Sequence, residues 1–243
     1  MSNLSRRAGA LLFTTFIIVL VAVTMPPAWI ILLLLPRGAW SDRLVKGWAR
    51  AIVALSGCGL RVVGLENIPR DRPVVLVSNH TSYVDSIALM AAIPLRYRFV
   101  VAERYARWPM IGTAIRKAGY ITVDQRRAAT RAASFDGVAA VLRGGGSVLM
   151  YPEGHRARGV DLDPFRSGAF RAAVEIGCPI VPIAVRGTRV IWPPGTFLLR
   201  PNRIEITVHR ALVPSREGHS EIVRLRDAAK ATIKSSVGPG SRD

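Results

Sequence analysis

Two side chains in this sequence are spaced for acid–base work. His80 and Asp85 stand in Asn79-His80-Thr81-Ser82-Tyr83-Val84-Asp85. A carboxylate beside an imidazole can hold one ring N–H and leave the other nitrogen free to take a proton. The flanking residues say how the pair is positioned. Pro73-Val74-Val75-Leu76-Val77-Ser78 is β-branched and apolar and reads as a buried strand. Ser86 to Ala92 reads as a helix, with Asp85 about one turn into it. His80 then leaves the carboxyl end of a sheet strand, where ligands bind in open α/β sheets. The same residues also fit a plain helix start, with His80 as a cap and Asp85 as a first-turn acid favoured by the dipole.

A second stretch has the same layout. The strand candidate Ser147-Val148-Leu149-Met150 runs into Tyr151-Pro152-Glu153-Gly154-His155-Arg156. Gly154 permits φ > 0 and close backbone approach, and Glu153 brings a carboxylate to the same rim. Together the two stretches resemble the glycerolipid acyltransferase family, typified by the 1-acylglycerol-3-phosphate acyltransferases. That family carries an Asn-His-x-x-x-x-Asp block and a later Phe-Pro-Glu-Gly-Thr-Arg block. Here they stand as NHTSYVD and YPEGHRA. Gly119-Tyr120-Ile121-Thr122-Val123-Asp124 resembles the second block, but Gln125 occupies the slot of an arginine thought to hold the acceptor phosphate, and Arg126 and Arg127 follow it. His155 replaces the threonine of the third block. Pro179 to Val185, with Pro182 at its centre, resembles a fourth block whose strand lines the acyl pocket.

The resemblance covers about Leu60 to Arg210 and implies an enzyme. A fatty acyl group would move from acyl-CoA or acyl-carrier protein to the free sn-2 hydroxyl of 1-acylglycerol-3-phosphate, making phosphatidic acid. His80 is the expected general base and Asp85 its orienting carboxylate. Asn79, Arg126, Glu153, Gly154, Arg156 and Pro182 are expected to bind substrate, with Arg126 and Arg156 on the acceptor phosphate. Backbone N–H groups near Glu153-Gly154 are the expected oxyanion donors. No cofactor is implied, and the His and Cys spacings offer no metal site. Because Gln125 and His155 depart from the pattern, another lysolipid acceptor, such as a lyso-aminolipid, stays open. So does a non-catalytic lipid-binding protein docked on a membrane.

Composition bounds these readings. The 243 residues suit one sizeable α/β domain with a short appendage. A 50% hydrophobic fraction with a net charge of +18 argues against disorder and for contact with both lipid and an anionic surface. Most of the positive charge is arginine, suited to bidentate phosphate contacts. Nucleic acid is the usual partner of a basic protein, but no recognition helix, zinc-ligand spacing or RNA-binding aromatic pattern is present, so none is expected. Cys58 and Cys178 make no disulfide framework. Between residues 96 and 131, nine basic side chains face only Glu103 and Asp124. That run fits an anion-binding or membrane-facing surface.

From Ala8 to Leu35 the chain has no charge. A span needs about 20 apolar residues. Ala8 to Met25 nearly reaches that, and Pro26-Pro27 is expected to break the helix. A kinked span, a re-entrant hairpin and a signal peptide all fit, the last least well because no cleavage site follows. Arginines flank both sides and set no orientation. The expected place is a bacterial-type inner membrane, with the site on its cytoplasmic face. Ser41 is the expected cap of an amphipathic helix from Asp42 towards Leu55, with Leu44, Val45, Trp48, Ile52 and Leu55 on one face. Residues 1–56 form the expected membrane anchor and 57–243 the expected catalytic domain. In that domain strands at 60–63, 73–78, 97–101, 120–123, 147–150, 179–185 and 204–208 alternate with helices. The pattern predicts an α/β fold with a mixed, largely parallel sheet flanked by helices.

Overall fold

The computed structural model describes residues 3–238, apart from 125, 158 and 160. In chain order the helices are α1 (Asn3–Leu34), α2 (Ala39–Leu55), α3 (Val84–Ala92), α4 (Glu103–Ala106), α5 (Pro109–Ala118), α6 (Ala128–Arg143), α7 (Gly168–Ile176), α8 (Thr188–Ile191) and α9 (His219–Val237). The strands are β1 (Leu60–Val63), β2 (Val75–Ser78), β3 (Tyr97–Ala102), β4 (Ile121–Val123), β5 (Ser147–Met150), β6 (Ile180–Arg186) and β7 (Ile204–Val208). They form one sheet in the order β1-β7-β6-β2-β5-β3-β4. Every pairing is parallel except β6 with β7. The mixed, largely parallel α/β architecture read from the sequence is the one observed.

The central strands explain why the sheet is buried. Val75, Leu76 and Val77 of β2 have no exposed surface. Successive side chains of a strand point to opposite faces. Leu76 accordingly joins Leu89 of α3 and Ile93 just past it on one face, while Val75 and Val77 join Val138 of α6, Phe170 of α7 and Leu225 of α9 on the other. β7, nearer one edge, alternates buried Ile204, Ile206 and Val208 with half-buried Glu205 and Thr207.

The N-terminal helices depart from expectation in three ways. First, α1 runs unbroken through Pro26 and Pro27. The two rings remove backbone bonds, but α1 is held from outside. Trp48 Nε1 of α2 donates to Thr24 Oγ1 at 3.2 Å. Lys117 Nζ of α5 donates to the carbonyl of Leu33 at 2.9 Å, near the helix C-terminus where a cation is favoured. Leu199 N–H donates to Thr14 Oγ1 at 2.8 Å. Among the described residues Ser5–Leu34 is the one helix long and apolar enough to cross a membrane.

Second, α2 begins at Ala39, and Ser41 is no cap: its Oγ donates to the carbonyl of Pro36 at 2.8 Å. Third, α2 turns a partly charged face to the body. Asp42, Lys46, Ala49 and Val53 are buried. Lys46 Nζ lies 3.2 Å from Asp42, donates to Leu95 O at 2.6 Å and sits 4.2 Å above the Tyr97 ring. Burial drives the Lys46 ammonium below its ordinary range, against the pull of Asp42. Leu44, Val45 and Trp48 instead line a cavity with residues of α1.

Candidate active site

β2 ends at Ser78 and α3 starts at Val84, so His80 lies on the connecting turn and Asp85 in the first helical turn. His80 Nδ1 is 2.9 Å from Asp85 Oδ2. That same oxygen accepts the backbone N–H of Thr81 at 2.7 Å and of Ser82 at 2.8 Å. Asp85 Oδ1 accepts the hydroxyl of Thr188. Asp85 and Thr188 are both wholly buried. A carboxylate offers only acceptors, so the ring proton belongs on Nδ1 and Nε2 keeps its lone pair. Asp85 thus closes the turn, supplies the acid in the first turn of α3 and orients the imidazole at once. Asp85 is therefore both the first-turn acid and the carboxylate beside the imidazole, whereas His80 does not cap the helix.

Tyr151, just past β5, stacks on the His80 ring with centroids 4.0 Å apart and planes 13° from parallel. Its hydroxyl is 2.9 Å from Ser86 Oγ on α3. Burial pushes the phenol well above its ordinary range, so it stays a neutral hydroxyl. The stack fixes the imidazole plane and faces a π-system to the cation that forms on protonation.

Glu153 is buried and does not line the cavity. Its Oε1 accepts the His80 backbone N–H at 2.7 Å, and its Oε2 accepts the Asp163 N–H at 3.0 Å. The His80 carbonyl accepts from Ala157 N–H at 2.7 Å. The loop after β5 is thereby fastened to the His80 backbone on both sides. Burial lifts the Glu153 carboxyl to about 7, although the two backbone donors act the other way.

The remaining predicted residues separate into two groups. Gly154 and Arg156 line the cavity with His80. Gly154 has φ 79°, and its N–H is spent on the Tyr151 carbonyl at 3.0 Å, so it is not a free oxyanion donor. The Arg156 guanidinium lies 3.6 Å over the Tyr83 ring. That stack leaves the in-plane N–H fork available to an anion. Asn79 and Pro182 are buried and lie outside the lining. Asn79 ties β2 to β6 by exchanging bonds with Val185, at 2.9 Å to its carbonyl and 2.8 Å from its N–H. Arg126 is exposed on the turn after β4, its N–H on Asp124 Oδ1 at 3.0 Å, and it also lies outside the lining. Gln125 falls outside the described residues. His155 is exposed at the cavity mouth, 3.6 Å from Asp163.

The cavity encloses about 1560 Å³. Beneath α1, α2 and α3 its wall includes Met25, Trp29, Leu32, Val45, Trp48 and Met90. Trp108 and Phe197 stand exposed at its mouth. An unbranched hydrocarbon chain fits such a wall, and a cation beside a base fits a charged head group carrying a hydroxyl.

Comparison with known proteins gives a consistent picture. A model of the acyltransferase family matches residues 59–186. A 1-acyl-sn-glycerol-3-phosphate acyltransferase of Chlamydomonas reinhardtii is 31% identical over 180 residues, which are 73% of this chain and 53% of the relative. The chloroplastic 1-acyl-sn-glycerol-3-phosphate acyltransferase LPAT1 of Arabidopsis thaliana is 30% identical over 222 residues, 88% of this chain and 61% of the relative. The chain thus spans little more than half the length of such curated relatives. The crystal structure of the 1-acyl-sn-glycerophosphate (LPA) acyltransferase PlsC from Thermotoga maritima superposes with a TM-score of 0.78 over 96% of both chains, at 20% identity. It shares the fold.

Two outcomes follow from the geometry. Thr188→Val removes a buried donor to a charged acceptor, worth about 1.5–3 kcal/mol, so kcat should fall roughly tenfold or more. Thr188→Ser should restore it in a steady-state assay of both variants. The second concerns pH. The unfolded chain releases the Glu153 proton near 4.5, while the folded chain holds it to about 7. This group's contribution to stability is complete below 4.5 and is lost as pH rises to about 7. Denaturant titrations should show the stability difference between wild type and Glu153→Gln falling across that window, by at most about 1.4 kcal/mol per pH unit. A difference independent of pH would refute the assignment.

Proposed function

We propose that this chain, which belongs to the acyltransferase family, transfers a fatty acyl group from a thioester to the free sn-2 hydroxyl of 1-acylglycerol-3-phosphate. The product is phosphatidic acid. The observation that carries the reading is the His80–Asp85 pair, locked in one tautomer and opening on an apolar cavity.

His80 Nε2 takes the hydroxyl proton as that oxygen attacks the thioester carbonyl. The new C–O bond forms as a tetrahedral adduct and the C–S bond breaks on its collapse. The proton then passes from the imidazolium to the leaving thiolate. Asp85 stabilises the imidazolium through Nδ1–H, and the Tyr151 face supports it. Ser82 is no nucleophile in this scheme. It is wholly buried, and its Oγ faces the Trp192 carbonyl at 3.2 Å.

Arg156, on the cavity wall, is the first cation we assign to the acceptor phosphate, with Arg126 a second on the turn after β4. Asn79, Glu153, Gly154 and Pro182 serve the site by shaping its backbone. The donor is acyl-CoA or acyl-carrier protein. No cofactor enters the scheme. The chain works at a membrane. The exposed apolar flank of α1, including Leu12, Phe16, Val23 and Leu34, lies in lipid, with Trp108 and Phe197 at the interface. The cytoplasmic face of an inner membrane is where both thioester donors and lysolipid meet. We further assign residues 1–56 to membrane anchoring and 57–243 to catalysis.

The first test is thiol release from long-chain acyl-CoA by the detergent-purified chain, with and without lysophosphatidate. Release should require both lysophosphatidate and His80. His80→Ala should lose nearly all turnover while still pelleting with vesicles; normal turnover in that variant would sink the mechanism. An acceptor panel including lyso-aminolipids decides the head group. Arg156→Ala should raise the acceptor KM about tenfold, as expected for a lost charge-assisted bond, and more than Arg126→Ala does. The reverse order would move the phosphate out to the turn after β4.

A further inference from the structure

The residues that line the cavity come from both faces of the sheet and so divide it into two arms, only one of which an acyl chain accounts for. The first lies under α1, α2 and α3 and is walled by apolar side chains. The second follows α6 and α7, which pack on the opposite face of the sheet. His80 and Tyr151 stand between the arms, at the carboxyl ends of β2 and β5.

The chemistry of the second arm differs from that of the first. Arg131 and Arg143 of α6, Arg166 before α7 and Arg171 within it all line this arm, and all four are exposed. Asp136 and Glu175 are the carboxylates beside them. Glu175 is bound to Arg171 at 2.7 Å. Four guanidinium groups against two carboxylates leave the arm positive. Between the cations it offers the Phe135 ring, with the Arg171 guanidinium 4.5 Å above it, and the hydroxyl-bearing Ser134 and Ser167. Arg131 and Arg143 are a little over three helical turns apart, about 18 Å along α6. The arm is therefore long and amphipathic, and its cations run along α6 from its start, just past the carboxyl end of β4, to its end before β5.

We propose that this arm holds the phosphopantetheine segment of the acyl donor. The thioester sits at His80, the amide-bearing arm runs over Phe135 and the two serines, and the phosphate is held by Arg143 and Arg171. Guanidinium forks match phosphate oxygens bidentately. The acyl chain then enters the apolar arm, so donor and product tails part from the leaving thiol at the base. This rests on the acyl-transfer reading of His80. Coenzyme A and acyl carrier protein carry the same segment, so the arm recognises what the two donors share.

The experiment compares the full chain in detergent with its Arg143→Gln/Arg171→Gln double variant. Four donors of equal chain length are used: acyl-CoA, acyl-carrier protein, acyl-phosphopantetheine and the acyl thioester of N-acetylcysteamine, which has no phosphate. The donor KM should rise about tenfold for the three phosphate-bearing donors. The penalty on the N-acetylcysteamine thioester should be several-fold smaller, and the acceptor KM should move least. An excess penalty on acyl-CoA would add its nucleotide to the arm's ligands, and an excess on carrier protein would add that protein's surface. An equal penalty on all four donors, or a rise confined to the acceptor KM, overturns the proposal. Binding of coenzyme A itself, measured in a His80→Ala background, separates this proposal from the acyl-transfer reading. Affinity should fall about tenfold when both arginines are replaced; an unchanged affinity overturns the arm whether or not turnover is seen.

Discussion

The buried carboxylate of Asp85 is the group on which the rest of the site depends. It has no exposed surface, and a buried charge is tolerated only when its oxygens are satisfied. Here the donors come from the Thr81 and Ser82 backbone, the His80 ring and the Thr188 hydroxyl. Three belong to the turn between β2 and α3. The fourth arrives from α8, beyond β6, and so requires the parallel pairing of β2 with β6. Asn79 reinforces that pairing by bonding both ways with Val185. The sheet, the turn and the His80 imidazole are therefore parts of one hydrogen-bond problem with a single solution.

The loop after β5 solves a second problem on the other side of the imidazole. β5 pairs with β2, so Tyr151 and Glu153 emerge beside His80. Tyr151 covers the ring face, while Glu153 holds the backbone beneath it. A carboxyl lifted to about 7 costs stability when it ionises, yet its bonds to two backbone donors restrain the one residue whose placement matters most. Such a group fits a role in positioning better than a role in binding substrate, because it is sealed from the cavity.

Much of this was legible in the residues, and the parts that were not have physical reasons. Short β-branched or alternating runs marked β1, β5 and β7 to the residue, and the glycine stop after Arg143 marked the end of α6. The His80–Asp85 relation was readable because both residues lie within one local turn. Thr188 was not, because it stands 103 residues from Asp85 in a single helical turn with no periodicity of its own. Arg126 drew attention by its place beside a family position, whereas solvent exposure depends on how the turn after β4 faces, which spacing does not encode. The helix break expected at Pro26-Pro27 followed from local bonding alone. Ties from Trp48, Lys117 and Leu199 are tertiary and override it.

The same ties explain why the N-terminal helices belong to the chemistry. The apolar side chains of α1 divide between two directions. Leu12, Phe16 and Val23 stand outward, while Met25, Trp29 and Leu32 line the cavity that reaches His80. In the proposed reaction, a wall that faces lipid on one side and the acyl arm on the other would let an acyl chain pass between bilayer and site without crossing water. Leaving such a chain in water would cost about 0.8 kcal/mol per methylene. That sum exceeds what one ion pair at the head group can return, so on the proposed reading the apolar wall would set where the substrate resides, and the arginines which end of it meets His80.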